Sequence, residues 1–214
     1  MDGTLADSSD QHWRAWRDAM AASKRPLTYE QFAAAFGQRN DRFLRLWLGD
    51  ATSDDEIARF GDEKEAEYRR LIEAEGLTPL PGAATWVHRL HAAGWRQAVA
   101  SSAPRANVAV MLRAIGLDRD FELFVGAEDV TVGKPDPQVF LTAARRLGVA
   151  PQHCVVVEDA AVGIEAARRA GMRSIGIAHS GTLAADVVVH SLEDLADDVF
   201  ETLLAGASKP ADVR

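Results

Sequence analysis

The sequence has little that would indicate a disulfide framework, secretion or a membrane. Cys154 is the one cysteine in 214 residues, so no disulfide can form within the chain, and its place at the head of an apolar run favours core packing over catalysis. No apolar run approaches the ~18 residues that span a bilayer, and no basic segment followed by an apolar one opens the chain. We therefore expect a protein of the cytoplasm.

Basic residues are also in the minority. The chain has 24 Lys and Arg against 32 Asp and Glu, a net charge of -8. Without a basic run, this balance argues against a nucleic-acid partner. The length suits one domain, or one domain that carries an insertion. We expect no nucleic-acid or membrane partner, and a monomer or weak dimer.

Residues 9–76 show helical spacing and no strand signal. Trp13 and Trp16 recur with apolar neighbours at that spacing. Thr28 is a plausible N-cap because Gln31 follows three residues later. We predict helices at 9–23, from Thr28 to Gly37 with Phe32 and Phe36 inside it, around 43–48, and at 55–74 with Ser53 or Asp54 as its cap.

After Pro81-Gly82 the pattern changes to strands that alternate with helices. Helices are predicted at 83–93, 105–115, 137–147, 163–170 and 192–204. Strands are predicted at 97–101, 123–126, 154–158, 174–178 and 187–189. This alternation implies βαβ crossovers and a parallel sheet that is covered on both faces, so the fold class is α/β. The helical block before residue 79 is then an insertion.

Chemically capable side chains follow the predicted strand ends. Ser101, Glu158 and Asp159 end or follow strands, Lys134 lies in a loop before a helix, and Asp2 is delivered by a tight turn. In open α/β sheets the ligand crevice lies beyond the carboxyl ends of the strands. Each residue alone has an ordinary explanation, as a helix cap, a solvated lysine or a turn former. Together they predict a phosphate and magnesium site.

The chemistry of phosphoryl transfer explains this set. A phosphoryl group is doubly charged, so it needs positioning and neutralisation. Lys134 offers a compact positive charge, and Ser101 and Ser102 offer hydroxyl groups. A carboxylate nucleophile is repelled by phosphate, and magnesium relieves this repulsion by binding oxygen ligands from both partners.

Four stretches carry a resemblance to a known family. They are Asp2-Gly3-Thr4-Leu5, Ser101-Ser102, Gly133-Lys134-Pro135 and Val155-Val156-Val157-Glu158-Asp159. In this order they resemble the haloacid dehalogenase superfamily, in the branch of β-phosphoglucomutase and phosphoglycolate-phosphatase-like enzymes. The resemblance implies a Rossmann-like core of three αβα layers, from residues 1–7 and 79–214, with a helical cap at 8–78.

The resemblance also implies roles for the site residues. Asp2 would act as general acid and base through its carboxylate, and would bind Mg²⁺ through its main-chain oxygen. Asp159 would bind the metal directly, and Glu158 mainly through water. Ser101 and Lys134 would hold the phosphoryl group, with Ser102 beside them.

The family motif begins one strand earlier than this sequence. Its nucleophilic aspartate stands two residues before the position of Asp2, so it has no counterpart here. Without that central strand, ladder groups are left unpaired at roughly 1–3 kcal/mol each and a void opens. We expect the 214-residue chain to be marginally stable with very little activity, and the native protein to carry a short apolar strand ending in Phe-Asp or similar before Met1.

The loop at 37–41 between cap helices resembles the substrate-facing loop of this branch. Arg39 and Asn40 are therefore candidates for contacting the organic part of the substrate, with Lys64 next. Arg39 is equally explained as a surface arginine, and Lys64 as part of a charged helix face. His12, which follows Asp7-Ser8, is a weaker candidate for the cleft.

Two classes of function remain open. One is a magnesium-dependent phosphatase that acts on a small phosphorylated metabolite, of the sugar phosphate or phosphoglycolate type, through an aspartyl-phosphate; a β-phosphoglucomutase-type mutase is a variant of it. The other is a non-catalytic module that only binds phosphate or a partner. The presence of Asp2, Lys134, Glu158 and Asp159 favours the enzyme, because a binder needs neither an acid/base nor a magnesium ligand.

Overall fold

The computed structural model describes residues 1–22, 25–35 and 39–205. Phe36, Gly37 and the predicted end of the second helix lie outside these residues. The helices are α1 (Ser9–Ala22), α2 (Tyr29–Ala35), α3 (Asn40–Leu48), α4 (Asp54–Glu75), α5 (Ala83–Ala92), α6 (Arg105–Ala114), α7 (Gln138–Leu147), α8 (Ala161–Arg169) and α9 (Val199–Ala205). The strands are β1 (Ala98–Ala100), β2 (Leu123–Val125), β3 (Val155–Glu158), β4 (Arg173–Ile177) and β5 (Val187–Val189).

The helical segment α1–α4 has an apolar centre of its own. Trp16, Phe32, Phe43 and Phe60 pack there, one from each of the four helices. Helix α4 begins at Asp54 because the Ser53 side chain accepts a hydrogen bond from a backbone N–H of its first turn. Its buried positions recur every three or four residues, as an amphipathic helix requires.

Helix α4 also packs against the sheet-bearing part of the molecule. Tyr68, Leu71 and Ile72 on its second half share an apolar cluster with Val110 of α6. Within the described ranges, no helix is long and apolar enough to cross a bilayer. One long helix thus connects the centre of the helical segment to the sheet-bearing part.

The strands pair in parallel, as predicted, and helices cover both faces of the sheets. β1 pairs with β2, and β4 lies between β3 and β5. One face packs against α5, α6 and α9, and the other against α7 and α8. The fold class is therefore α/β with three layers, as the sequence indicates.

The predicted single sheet is divided into two. No β ladder joins β1 to β3 among the described residues. Between them lies a cavity of about 300 Å³. Val99, Val155 and Val157 line it from the two sheets, and Met1 and Leu5 line it from the start of the chain. Apolar side chains of both sheets and of the start of the chain therefore line this space.

The segment that leads into α1 and the segment that follows α4 lie side by side next to the sheets. Ala6 forms an isolated bridge with Asp2 and another with Pro79. The Leu80 N–H donates to the Leu5 carbonyl at 2.8 Å. An insertion between residues 8 and 78 would produce this pairing.

The predicted closing helix at 192–204 is wrong in its first half. Leu192–Asp194 form a short 3₁₀ turn, Leu195 is extended, and α9 begins at Val199. The Ser191 N–H donates to the Asp194 carboxylate, and the Ser191 hydroxyl accepts from a backbone N–H of the turn. The extended backbone at Leu195 interrupts the helical hydrogen-bond pattern, so the helix begins only at Val199.

Candidate active site

A pocket of about 130 Å³ lies at the carboxyl ends of β1 and β3, between the sheets and the helical segment. Aromatic and polar side chains of the helical segment form its outer wall. The chemically capable residues that line it are Asp2, Ser101, Ser102, Lys134, Glu158 and Asp159 on the sheet side and His12, Asn40, Lys64 and Glu65 on the helical side. The structure thus gathers the sequence-predicted residues around one pocket, apart from Arg39.

The turn that carries Asp2 lies directly against Asp159. Gly3 has φ 68°, and a Cβ atom there would overlap the Asp159 carboxylate. The Thr4 hydroxyl donates to Asp159 Oδ1 at 3.2 Å. Glycine is required here for both its positive φ and its lack of a side chain.

The Asp2 carboxylate is held by donors from the first and last helices of the helical segment and from the residue before α1. Ser8 Oγ donates to its Oδ1, and the Tyr68 hydroxyl lies at 3.4 Å from the same oxygen. His12 Nε2 is also 3.4 Å away. Burial alone would raise the pKa of the Asp2 carboxyl, but the hydrogen bonds from His12 and Ser8 keep it below its usual value.

The tautomer of His12 follows from its neighbour. The Lys64 ammonium lies 2.8 Å from Nδ1, and an ammonium can only donate. Nδ1 therefore accepts, and Nε2 carries the proton that faces Asp2. Burial and the charge of Lys64 both lower the pKa of His12, so the imidazole is neutral at pH 7.

Ser101 is buried directly after β1. Its N–H donates to the Val125 carbonyl at 2.9 Å, and its Oγ accepts from the Ala103 N–H at 3.1 Å. With the oxygen engaged as an acceptor, the hydroxyl proton can be donated to a ligand. Ser102, half-buried, lines the pocket beside it.

Lys134 and Glu158 form a close ion pair. Lys134 Nζ is 2.7 Å from Glu158 Oε2, and 8% of the Glu158 side chain is exposed. Burial would raise the pKa of the Glu158 carboxyl, but the charge of Lys134 lowers it. Glu158, predicted to bind a metal through water, therefore contacts the lysine in this structure.

Gly163 in α8 gives space to Glu158. A Cβ atom at Gly163 would overlap the Glu158 carboxyl group. We expect Gly163→Ala to lower the free energy of unfolding by about 1–3 kcal/mol despite the higher helix propensity of alanine, as urea denaturation would measure. The matched control is Gly61→Ala in α4, whose Cβ would make an ordinary 3.7 Å contact with Asn40. Equal effects from the two variants would contradict the steric account.

The Asp159 carboxylate pairs with no Lys, Arg or His side chain of the described residues. Burial raises the pKa of its carboxyl, as does the adjacent Glu158, and the positive charge of the chain N-terminus offsets this only in part. Hard oxygen atoms with unneutralised charge suit Mg²⁺. The described residues hold no group of three His, Cys, Asp or Glu side chains that could bind a metal.

Of the substrate contacts predicted in the helical segment, Asn40 and Lys64 line the pocket and Arg39 does not. The Arg39 guanidinium donates to the carbonyl oxygens of Ala127 at 3.3 Å and Val130 at 3.5 Å. Its position against the loop after β2 is explained by these two acceptors. Arg39 thus joins the helical segment to the sheet-bearing part.

Sequence reasoning missed Glu65, Tyr68 and Asn107. Residues 62–65 read as a charged helix face, yet Phe60, Lys64 and Tyr68 recur every fourth residue and lie on one buried side of α4. That spacing was a usable signal for Lys64 and Tyr68. Nothing in the local sequence marks Asn107 as more than a helix residue.

Comparisons with known proteins identify the family of the chain. A profile of haloacid dehalogenase-like hydrolases matches residues 1–171. Hexitol phosphatase A of Escherichia coli K12 is 36% identical over 200 residues, covering 91% of this chain and 90% of that protein. Beta-phosphoglucomutase of Bacillus subtilis is 31% identical over 204 residues, covering 91% and 88%.

A solved structure shows the same similarity in three dimensions. Beta-phosphoglucomutase from Clostridium difficile superposes with a TM-score of 0.85 at 25% identity, over 96% of this chain and 94% of that one. The family profile covers most of the sequence and the two curated relatives match nearly their full length. The resemblance predicted from the motifs is confirmed, and the chain belongs to the haloacid dehalogenase-like hydrolases.

Proposed function

We propose that the protein is a magnesium-dependent phosphatase of a small phosphorylated sugar or sugar alcohol, acting through an aspartyl-phosphate. One observation carries the proposal: Asp2, Ser101, Lys134 and Asp159 face a single pocket at the carboxyl edge of the strands. The names of the relatives, a hexitol phosphatase and a β-phosphoglucomutase, support a phosphorylated sugar as the substrate class.

The side chains of the pocket would have separate roles in phosphoryl transfer. The Lys134 ammonium and the Ser101 hydroxyl would bind the phosphoryl oxygens, with Ser102 beside them. The Asp2 carboxylate, oriented by Ser8 and His12, would protonate the leaving oxygen and then activate water. General acid–base catalysis of this kind contributes about 10² to 10⁴ in rate.

The magnesium site would be built on Asp159 and the main-chain oxygen of Asp2. When bound, Mg²⁺ supplies the positive charge that lets an anionic phosphate approach a carboxylate. The position of the Asp159 carboxylate directly against the Asp2 turn supports this assignment.

We propose further that the nucleophile is carried by a strand before Met1 that lies between β1 and β3. The divided sheet and the 300 Å³ apolar cavity support this placement. A parallel strand there would pair with both neighbours and end beside the Asp2 turn. An aspartate at its end would face the phosphoryl group.

The helical segment is proposed to act as a cap over the pocket. It contributes a wall that includes Asn40 and Lys64, and it contacts the rest of the molecule through α4 and Arg39. A reactive acyl-phosphate needs water excluded at one step and admitted at the next, which a movable cap permits.

A panel of phosphate esters tests the proposal. The chain is extended at its N-terminus by an apolar strand ending in Asp, and assayed with hexose, hexitol and glycolate phosphates in Mg²⁺ or in EDTA. We expect magnesium-dependent release of inorganic phosphate that is fastest with the hexose or hexitol esters. Isomerisation of a hexose phosphate without phosphate release would support a mutase instead. Binding without either reaction would support a non-catalytic module.

A further inference from the structure

The lysine that faces the pocket from the helical segment is already neutralised. Lys64 is 2% exposed, and its ammonium lies 2.9 Å from Glu65 Oε1. Both residues line the pocket. A close, poorly solvated ion pair presents little net charge to a ligand. The pair therefore does not offer a free cation on the wall opposite the phosphate-binding groups.

The Glu65 carboxylate is held in place from two parts of the molecule. Asn40 Nδ2 of α3 donates to its Oε1 at 2.6 Å, and Asn107 Nδ2 of α6 donates to its Oε2. Asn107 is fully buried and accepts from Arg69 at 2.9 Å. Because α6 belongs to the sheet-bearing part, Glu65 cannot turn away without leaving a buried amide unpaired.

No further basic side chain is available for a second phosphate in the described lining. Lys64 and Lys134 are the only Lys or Arg side chains there, and Lys134, which contacts Glu158, would be used by the reacting phosphate. The guanidinium of Arg39 is directed at backbone carbonyls outside the lining. A substrate with a second phosphate would thus meet the Glu65 carboxylate without an unpaired cation to receive it. Hydroxyl groups, in contrast, would find amide and carboxylate partners in Asn40 and Glu65.

We propose that Glu65 determines specificity by charge. It selects a monophosphate whose remaining part is uncharged and rich in hydroxyl groups, and it rejects a bisphosphate. The inference rests on the proposed function, since it takes the reacting phosphate to be held by Ser101 and Lys134. It also favours the phosphatase over the mutase, because moving a phosphate between two positions through the enzyme requires the site to hold a bisphosphorylated sugar.

Calorimetric titration of the 214-residue chain in magnesium buffer tests the inference. The probes are fructose 1-phosphate, fructose 1,6-bisphosphate and inorganic phosphate. We expect the unaltered chain to bind the monophosphate more tightly than the bisphosphate. Glu65→Gln should shift the ratio of the two Kd values by at least about tenfold toward the bisphosphate, because Lys64 is then free to pair with the second phosphate.

Two further variants make the result specific. Glu63→Gln removes the same charge from the exposed side of α4 and should leave the ratio unchanged. The double variant Glu65→Gln with Asn107→Asp restores an acceptor opposite the new amide and moves the carboxylate to a residue outside the pocket lining. It therefore removes the charge from the pocket wall even if circular dichroism shows the single variant to be unfolded. It too should shift the ratio.

Each outcome decides the matter. The role of Glu65 would be overturned by an unchanged ratio in the folded variants, or by tighter binding of the bisphosphate to the unaltered chain. Either result would leave the proposed phosphate site standing. If the unaltered chain binds no inorganic phosphate, the proposed phosphate site is itself overturned, and this inference with it.

Discussion

An apolar strand ending in aspartate, added before Met1, should raise the rate of phosphate release by at least about 10³-fold. In the proposed mechanism this aspartate is the nucleophile, and Asp2, Ser101 and Lys134 of the pocket act on the phosphoryl group that it attacks. The same addition should raise the free energy of unfolding by about 3 kcal/mol or more, since it fills the cavity and pairs backbone groups along β1 and β3. Urea denaturation and a phosphate-release assay measure the two effects.

The matched control is the same strand ending in asparagine. It should restore the stability without the turnover, which separates the contribution of the strand from that of the nucleophile. If neither extension raises the stability, the cavity between β1 and β3 is not the place of a strand.

Replacement of Asp159 by asparagine should lower the turnover of the extended chain by about 10³-fold while raising its stability in EDTA. The loss reflects a metal contribution of several kcal/mol to the transition state. The gain in stability follows from the raised pKa of Asp159: its ionised form is disfavoured in the folded state, so at neutral pH the charge destabilises the fold. Calorimetric unfolding with and without Mg²⁺ measures the effect.

The stabilisation of the protein by bound Mg²⁺ provides a second measurement on this variant. A ligand at 100 times its Kd stabilises a protein by about 2.7 kcal/mol, and Asp159→Asn should abolish most of that shift. Asp129→Asn is the control. The Asp129 carboxylate pairs with Arg146 at a distance of 2.7 Å, and neither residue lines the pocket. It should lose stability and keep both its turnover and its response to Mg²⁺. An unchanged magnesium response in Asp159→Asn would contradict the assignment.

The chemistry at the sheet edge could be predicted because it is local. Ser101 and Glu158 are placed by short apolar strands, and parallel strands bring their carboxyl ends to one edge whatever the detailed packing. Asp2 is placed by a turn that Gly3 alone permits. Constraints of this kind depend only on residues that are adjacent in the sequence.

The wall formed by the helical segment could not be predicted in the same way. Whether Arg39 faces the pocket or the loop after β2 depends on how the helical segment packs against the sheet-bearing part. Glu65 contacts Asn107 across 42 positions of sequence, and no local pattern indicates that pair. The division of the sheet likewise depends on which strands are present to pair with each other.

Rapid acid quench of the extended chain with a ³²P-labelled hexose phosphate tests the central claim most directly. The account predicts transient, hydroxylamine-sensitive label on the aspartate that ends the added strand, and no such label when that residue is asparagine. Phosphate release without any label on the protein, or label that persists in the asparagine form, would contradict it.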